Sequence, residues 1–320
     1  MPMNRTDLDG LAPASRNVHA GQHVDIGNAR PTVQPIHLAT AFAYPTTDEL
    51  DAVFADNSLG YVYSRMANPT VRSVEEAIAA IEGAESGVAY SSGMAAILGV
   101  LQSLVPPGGK LLSAMDIYGA THALLHQQLV PAGYQVTHAS TENLVEFREA
   151  ALQLQPSVIY IESISNPLIK VANIGAIADI ANEVGALLVL DNTFASPVVI
   201  RALPLGVDVV IYSSTKHLAG HGDSTGGLVA TSSDLAERLH QHRKFAGAIL
   251  SPFDAWLTLR GMRTLHLRVR QQSLNAELVA DWLTSRSGIG RVYYPSPAPE
   301  TSASTFVGDL RGSMLAFDIA

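Results

Sequence analysis

The sequence predicts an α/β fold built on a mostly parallel, seven-stranded sheet with helices on both faces. Seven short apolar segments lie between residues 87 and 230, and patterns of helical period separate them. Strands that alternate with helices imply crossover connections, which make neighbouring strands parallel and cover both faces of the sheet. A chain of 320 residues is long enough to bury the core that such a sheet needs.

The predicted strands are short runs rich in Val, Ile, Leu and Tyr, bounded by turn-forming residues. In chain order they are residues 87–90, 110–113, 135–138, 158–162, 186–190, 207–212 and 227–230. The nearly continuous apolar character of the run at 207–212 is typical of a strand that is buried on both faces.

Two of the intervening helices carry clear start and stop signals. Asn68 is a predicted cap with proline at the next position, and Gly83 ends that helix. Asn173 and Gly185 bound a second helix in the same way. The residues predicted to face the core are Val71, Val74, Ile78 and Ile81 in the first helix and Ile174, Ile177, Ala181 and Val184 in the second.

The two ends of the chain differ in pattern from its middle. The first part is rich in Pro, Gly, His and Asn and shows little periodicity, whereas the last part is mainly helical, with a Pro/Ser-rich loop at 295–305 and a final strand at 313–319. The predicted parts are an extended N-terminal arm over 1–60, a large domain over 61–250, and a linking helix or helix pair with the start of a small α+β domain over 251–320.

Composition excludes several classes of function. The formal net charge of −9 argues against a nucleic acid or an anionic membrane as partner. The absence of cysteine excludes disulfides, thiolate metal sites and thiol nucleophiles. No apolar run reaches the roughly 18 residues of a membrane helix, and the polar start of the chain is unlike a signal peptide. We therefore expect a cytoplasmic protein. The low charged fraction of 15% favours burial of surface between subunits.

Two predicted strands are followed by residues that carry chemistry. Lys216 comes after a Ser-Ser-Thr run at the end of one strand, and Asp191 stands at the end of an earlier strand. A lysine and a carboxylate held at rigid strand ends are the two protein groups that pyridoxal phosphate requires. The alternatives are a solvated loop lysine and an aspartate that caps the backbone at Thr193 or Phe194.

Ser92, Gly93 and Met94 begin a predicted helix directly after a strand. Backbone N–H groups at a helix start, together with the positive end of the helix dipole, favour a phosphate dianion. The hydroxyl groups of Ser213 and Thr215, close to the lysine, add possible donors. Simple helix capping by Ser92 is the alternative.

His122 and His126 lie four residues apart on a predicted helix, a spacing that suits a metal-binding pair. The sequence shows no third ligand nearby, so we expect solvated histidines and no metal site. It also lacks the phosphate-loop, dinucleotide-binding and nucleophile-elbow patterns of nucleoside triphosphatases, dehydrogenases and hydrolases.

Several further motifs occur in one order along the chain. They are 61–70 (YVYSRMANPT), 91–97 (SSGMAAI), 118–119 (YG), 162–167 (ESISNP), 191–194 (DNTF), 214–216 (STK) and 251–261 (SPFDAWLTLRG). From about Asn17 onward this series closely resembles the Cys/Met-metabolism family of pyridoxal-phosphate enzymes, which includes cystathionine γ-synthase, cystathionine γ-lyase, methionine γ-lyase and the O-acylhomoserine sulfhydrylases. The resemblance implies a fold-type-I pyridoxal-phosphate enzyme.

The resemblance also implies roles for individual residues. Lys216 would hold the cofactor as a Schiff base and shuttle protons, Asp191 would pair with the pyridine N–H, and Tyr118 would stack on the ring and act as acid or base at the leaving sulfur. The implied cofactor-binding residues are Tyr63, Arg65, Ser92, Gly93, Met94, Tyr118, Asn166, Asp191, Thr193, Ser213, Thr215 and Lys216.

Tyr63 and Arg65 belong to a segment that, by resemblance, reaches the phosphate of a neighbouring subunit. The resemblance therefore implies a homotetramer, built as a dimer of dimers with active sites shared across the dimer. The alternative for Arg65 is a surface ion pair with Glu75 or Glu76.

The implied reaction is elimination at a C–S bond of a small sulfur amino acid, as in cystathionine or methionine γ-lyases. Local signals conflict, because Ala120 stands where methionine γ-lyases typically have cysteine, whereas the His-Gly-Asp run at 221–223 is similar to those enzymes. A γ-replacement transferase such as cystathionine γ-synthase or a sulfhydrylase is the alternative. A truncated, catalytically weak paralogue that binds cofactor is the alternative of another class.

Members of the family continue beyond the strand at 313–319 and complete the small domain with a segment that holds the substrate carboxylate through an arginine. We therefore expect this sequence to be a fragment, with a natural truncation as the alternative.

Overall fold

The structure is a computed structural model that describes residues 8, 10–21, 31–55, 60–295 and 305–319. The predicted loop at 295–305 and the polar start of the chain lie almost entirely outside the described residues. The helices are α1 Pro13–His19, α2 Thr47–Ala55, α3 Pro69–Glu82, α4 Gly93–Leu104, α5 Gly119–Leu124, α6 Leu144–Leu154, α7 Ile174–Val184, α8 Ser196–Val199, α9 Ser233–Ala246, α10 Pro252–Met262 and α11 Leu265–Thr284. The strands are β1 Ser86–Tyr90, β2 Lys110–Ala114, β3 Gln135–Ala139, β4 Val158–Glu162, β5 Leu187–Asp191, β6 Val209–Ser213, β7 Gly227–Thr231, β8 Ile289–Tyr293 and β9 Ala316–Ile319.

Strands β1 to β7 form one sheet in the order β1-β7-β6-β5-β4-β2-β3. The pairings from β6 through β3 are parallel, and β7 runs antiparallel to both β1 and β6. This confirms the predicted mostly parallel, seven-stranded sheet. Strands β5 and β6 each end one residue later than predicted, so Asp191 and Ser213 are the last residues of their strands instead of following them.

The predicted helix signals are confirmed at α3 and α7. The Asn68 side chain accepts hydrogen bonds from the first backbone N–H groups of α3, and Gly83 ends that helix in the left-handed conformation. Asn173 and Gly185 do the same for α7. These caps satisfy helix-end groups that have no partner within the helix, while apolar side chains such as Ile78 are fully buried in the core.

The part of the chain predicted as an extended N-terminal arm contains helices in its described residues. Helix α1 packs against α3 and α11, and Leu8 joins the main core. The Arg16 guanidinium donates hydrogen bonds to the carbonyl oxygens of Leu8 and Ala80. These long-range contacts supply the stability that local propensity does not give to a seven-residue helix.

The predicted helix or helix pair after residue 251 is a pair, α10 and α11. Beyond it, β8 and β9 form a separate two-stranded antiparallel ribbon. Glycine is required at Gly261 in α10, because a Cβ atom there would lie 2.0 Å from the Ala219 carbonyl oxygen. This close packing fixes the loop that follows Lys216. No helix among the described residues is long and apolar enough to cross a membrane.

Candidate active site

The carboxyl ends of β4, β5 and β6 border a cavity of about 570 Å³. This is the edge at which open α/β sheets bind ligands. Of the residues predicted to hold a cofactor, the structure brings all but Tyr63 and Arg65 to this cavity, namely Ser92, Gly93, Met94, Tyr118, Asn166, Asp191, Thr193, Ser213, Thr215 and Lys216.

Lys216 lies in a turn that the backbone holds on both sides. Its N–H donates to the Ser213 carbonyl at 3.1 Å, and its own carbonyl accepts from the Gly220 N–H at 2.8 Å. The Arg268 guanidinium donates to the carbonyl oxygens of His217 and Leu218, the next two residues. The Lys216 ammonium makes no hydrogen bond or ion pair with the part of the chain that the structure describes, so a rigid turn presents an available amine to the cavity.

Asp191 and Glu162 are register partners on neighbouring parallel strands, so two carboxylates meet at this edge. Asp191 Oδ1 accepts from the Thr193 N–H at 2.9 Å, which is the backbone cap considered as the alternative. Its other oxygen contacts the Tyr160 hydroxyl at 3.4 Å. The aspartate therefore caps the turn and lines the cavity at the same time.

Burial and the neighbouring Asp191 raise the pKa of Glu162 to about 8, although hydrogen bonds from the Tyr118 and Asn166 backbones oppose the shift. Burial likewise raises the pKa of Asp191, against the hydrogen bonds from Thr193 and Tyr160. A low-dielectric environment disfavours a second negative charge beside the first. At neutral pH Glu162 therefore keeps its proton beside Asp191.

The residues around this pair fit pyridoxal phosphate. Neither Asp191 nor Glu162 takes part in an ion pair with the described residues. A buried carboxylate without a cation is costly, and a protonated pyridine nitrogen is the partner it lacks. The Lys216 amine, which the cofactor aldehyde needs, lines the same cavity.

The start of α4 lies at one side of the cavity. The Ser92 hydroxyl caps the helix by accepting from the Ala95 N–H at 3.1 Å, so the capping interpretation is confirmed and coexists with a place in the cavity lining. A Cβ atom at Gly93 would lie 2.8 Å from the Ser213 Cβ, which is why the helix start reaches the end of β6 only with glycine. Besides the capped Ala95 N–H, the N–H groups of Gly93 and Met94 have no intrahelical acceptor, so they remain available to a phosphate.

Two threonines connect the strand ends. The Thr193 hydroxyl accepts from the Ser213 N–H at 2.8 Å, which ties the end of β5 to the end of β6. The Thr215 hydroxyl accepts from the Gly226 N–H at 3.1 Å and so holds the glycine-rich segment before β7. Tyr118 precedes α5 with its side chain 47% exposed, and its N–H donates to Glu162 Oε1 at 2.6 Å.

Tyr63 and Arg65 do not line the cavity of their own chain. The Arg65 guanidinium donates to the Lys244 carbonyl at 2.5 Å and lies 5.7 Å from the centroid of the exposed Tyr63 ring. The surface pair considered for Arg65 is wrong, because Glu75 pairs with Arg243 and Glu76 pairs with Arg72.

The cavity also contains residues that were not among the predicted cofactor-binding residues. They are Ile97, Glu162, Ile164, Phe194, His217, Thr225 and Met314. Glu162 had a usable signal, since it is a carboxylate at a strand end like Asp191. Thr225 and Met314 had none, because only the fold brings the turn before β7 and the segment before β9 to the same place.

The expectation that His122 and His126 have no third ligand nearby is wrong. His138 on β3 lies beside them, and the candidate ligand nitrogens of the three imidazoles are within 4.8 Å of one another. The sequence could not show this group, because only the fold brings β3 beside the helical segment that carries His122 and His126.

Comparisons with known proteins agree with these observations. The profile of the family described as Cys/Met metabolism PLP-dependent enzyme matches residues 14–320. The chain is 37% identical to an L-methionine gamma-lyase of Pseudomonas putida over 96% of its own length and 77% of the relative's. It is 40% identical to an O-succinylhomoserine sulfhydrylase of Pseudomonas aeruginosa, covering 90% of this chain and 71% of the relative.

A solved structure of cystathionine gamma-lyase from Lactobacillus plantarum, complexed with L-serine, superposes with a TM-score of 0.88. The two are 34% identical, and the superposition covers 97% of this chain and 79% of that one. The chain thus has the fold-type-I architecture of these enzymes.

Proposed function

The chain belongs to the Cys/Met metabolism family of pyridoxal-phosphate-dependent enzymes, and from this premise we propose that the cavity at the ends of β4, β5 and β6 is its active site. The enzyme is a carbon–sulfur lyase or a γ-replacement enzyme of that family. The observation that carries the proposal is the meeting of the Lys216 amine and the half-buried Asp191 carboxylate in one cavity. These are the two groups that the cofactor's chemistry requires.

Pyridoxal phosphate, when bound, acts as an electron sink for the pair released as a bond to the substrate α-carbon breaks. We assign Lys216 as its covalent anchor and as the base that moves the proton at that carbon. Asp191 would keep the proton on the pyridine nitrogen, because a desolvated carboxylate strongly favours a cationic partner. Tyr118 would cover the ring and exchange a proton with the leaving sulfur.

We assign the phosphate to the start of α4, where the backbone of Ser92, Gly93 and Met94 would hold it. The hydroxyl groups of Ser213 and Thr215 would lie on its other side. Asn166 and Thr193 complete the cofactor site as assigned from the sequence. The geometry supports this placement, since one wall of the cavity combines a helix N-terminus with hydroxyl groups.

Tyr63 and Arg65 are assigned to the neighbouring subunit's phosphate, in a homotetramer with sites shared across each dimer. Two observations support this assignment: both residues lie outside their own cavity, and large apolar side chains such as Leu38 and Phe245 are 72% and 80% exposed. Such surface is typical of subunit contacts. We place the enzyme in the cytoplasm, since a chain without cysteine gains nothing from an oxidising compartment.

Elimination is the reaction we propose, with a small sulfur amino acid such as methionine or cystathionine as substrate. The relative named L-methionine gamma-lyase supports it, and the relative named O-succinylhomoserine sulfhydrylase supports γ-replacement as the second candidate. The holoenzyme should be offered methionine, cystathionine, and O-succinylhomoserine with sulfide. Release of a 2-oxo acid from the first two supports elimination, whereas formation of homocysteine from the third supports replacement. Cofactor binding without either product supports a catalytically weak paralogue.

The anchor is tested by borohydride reduction of the holoenzyme and peptide mapping. The pyridoxyl group is expected on Lys216, and the matched controls are Lys110, Lys170 and Lys244. A label on any of these three lysines instead would overturn the site.

The carboxylate is tested by Asp191→Ala. The variant should fold and lose about two to three orders of magnitude of turnover, because loss of one partner of a buried pair costs about 3–5 kcal/mol. Turnover within a factor of three of the wild type would contradict the role of Asp191.

A further inference from the structure

Three histidines outside the active site form a compact group that the proposed reaction does not use. His122 belongs to α5, His126 to the π-helical turn that continues it, Leu125–Leu129, and His138 to the edge strand β3. Their ring centroids are 4.5 to 5.3 Å apart. His122 and His126 are exposed, and His138 is half-buried. A π-helical turn within a helix is itself a feature that occurs frequently at functional sites.

The hydrogen bonds define which nitrogens are available. His138 Nδ1 contacts the Ala114 carbonyl at 3.2 Å, and a carbonyl only accepts, so Nδ1 carries the proton and Nε2 presents its lone pair. His138 Nε2 faces His126 Nε2 at 2.8 Å, so His126 supplies the single proton between them. A backbone carbonyl that orients an imidazole in this way is the usual outer support of a metal ligand.

We propose that His122, His126 and His138 form a binding site for a divalent metal ion such as Zn²⁺, Ni²⁺ or Cu²⁺. Imidazole nitrogen suits these metals and not magnesium or calcium. Metal–nitrogen bonds of about 2.0–2.1 Å in a tetrahedral site place ligand nitrogens about 3.3–3.4 Å apart. The two nitrogens that are 2.8 Å apart must therefore move slightly apart, and the third imidazole must rotate towards them, since the three nitrogens lie within 4.8 Å of one another. The metal takes the place of the shared proton, which moves to His126 Nδ1, so that all three imidazoles stay neutral.

Three protein ligands leave a fourth position to water or another ligand. The site would connect α5 to the edge of the sheet. His122 lies one helical turn after Tyr118, which lines the candidate active site, and its N–H donates to the Tyr118 carbonyl at 3.0 Å within the helix. The metal site itself does not depend on the proposed reaction, so its test reads metal occupancy instead of turnover.

The test uses the untagged, cofactor-loaded full chain and Zn²⁺ in competition with a chromophoric chelator. The wild type should bind one Zn²⁺ per chain at this site, and Mg²⁺ should not compete. His126→Gln, at an exposed position, and His138→Gln should each weaken Zn²⁺ binding by at least about tenfold. The control is His19→Ala, an exposed histidine on α1, which should leave the affinity unchanged.

Crystals soaked in Zn²⁺ should show one anomalous peak about 2.0–2.1 Å from a nitrogen of each of the three imidazoles. Unchanged Zn²⁺ affinity in both glutamine variants, or a peak that touches only one of these histidines, would overturn the proposal. His126→Gln alone suffices for the affinity test if His138→Gln fails to fold.

Discussion

Replacement of Glu162 by glutamine is expected to stabilise the cofactor-free protein, and increasingly so as the pH rises. Glu162 is 8% exposed, and burial with the neighbouring Asp191 raises its pKa from the ordinary 4.5 to about 8. Between these values the folded protein keeps a proton that the unfolded chain has released. Stability therefore falls as pH rises through this window. Glutamine keeps the oxygen that accepts the Tyr118 N–H and does not ionise.

The size of the effect follows from the two pKa values, since one pKa unit corresponds to about 1.36 kcal/mol. The carboxyl destabilises the folded state by about 1 kcal/mol at pH 5 and by about 3 kcal/mol at pH 7. The free energy of unfolding of Glu162→Gln minus that of the wild type should thus grow by about 2 kcal/mol or more over this range, whatever constant offset the substitution adds.

The assay is urea denaturation of both cofactor-free proteins at pH 5, 6 and 7. A difference that stays constant within about 0.5 kcal/mol would refute the reasoning, because it would mean that Glu162 ionises normally beside Asp191. Saturation with pyridoxal phosphate should reduce the pH dependence, since a pyridinium partner removes the repulsion from Asp191.

Two further predictions concern the fold and the assembly. Arg243→Ala should destabilise the protein by about 3–5 kcal/mol, because it leaves Glu75 charged and buried. The control is Arg72→Ala, at an exposed ion pair, which should cost at most about 1 kcal/mol. Equal losses of the free energy of unfolding in chemical denaturation would contradict this distinction. Inactive Lys216→Ala and Arg65→Ala subunits, mixed and allowed to exchange, should recover part of the activity, because a hybrid interface contains one intact site. If activity does not recover after verified subunit exchange, Arg65 does not act at the active site of the neighbouring subunit.

The sequence by itself determined the regular elements and the strand-end residues. Apolar runs bounded by turn residues located all seven strands of the large sheet, because burial on both faces leaves an apolar signature in a few consecutive residues. Asn68 and Gly83 marked the ends of α3, since cap chemistry is local. Lys216 and Asp191 could be recognised in the same way, from their positions directly at strand ends.

Only the tertiary structure decided what depends on residues far apart in the chain. The strand order places Glu162 beside Asp191, and no local pattern encodes a pairing between neighbouring strands. It also brings the edge strand that carries His138 against the helical segment of His122 and His126. Helix α1 depends on long-range contacts such as that of Arg16 with Ala80, across 64 positions. Local propensity is weak in such segments, so packing against the core decides whether they form helices.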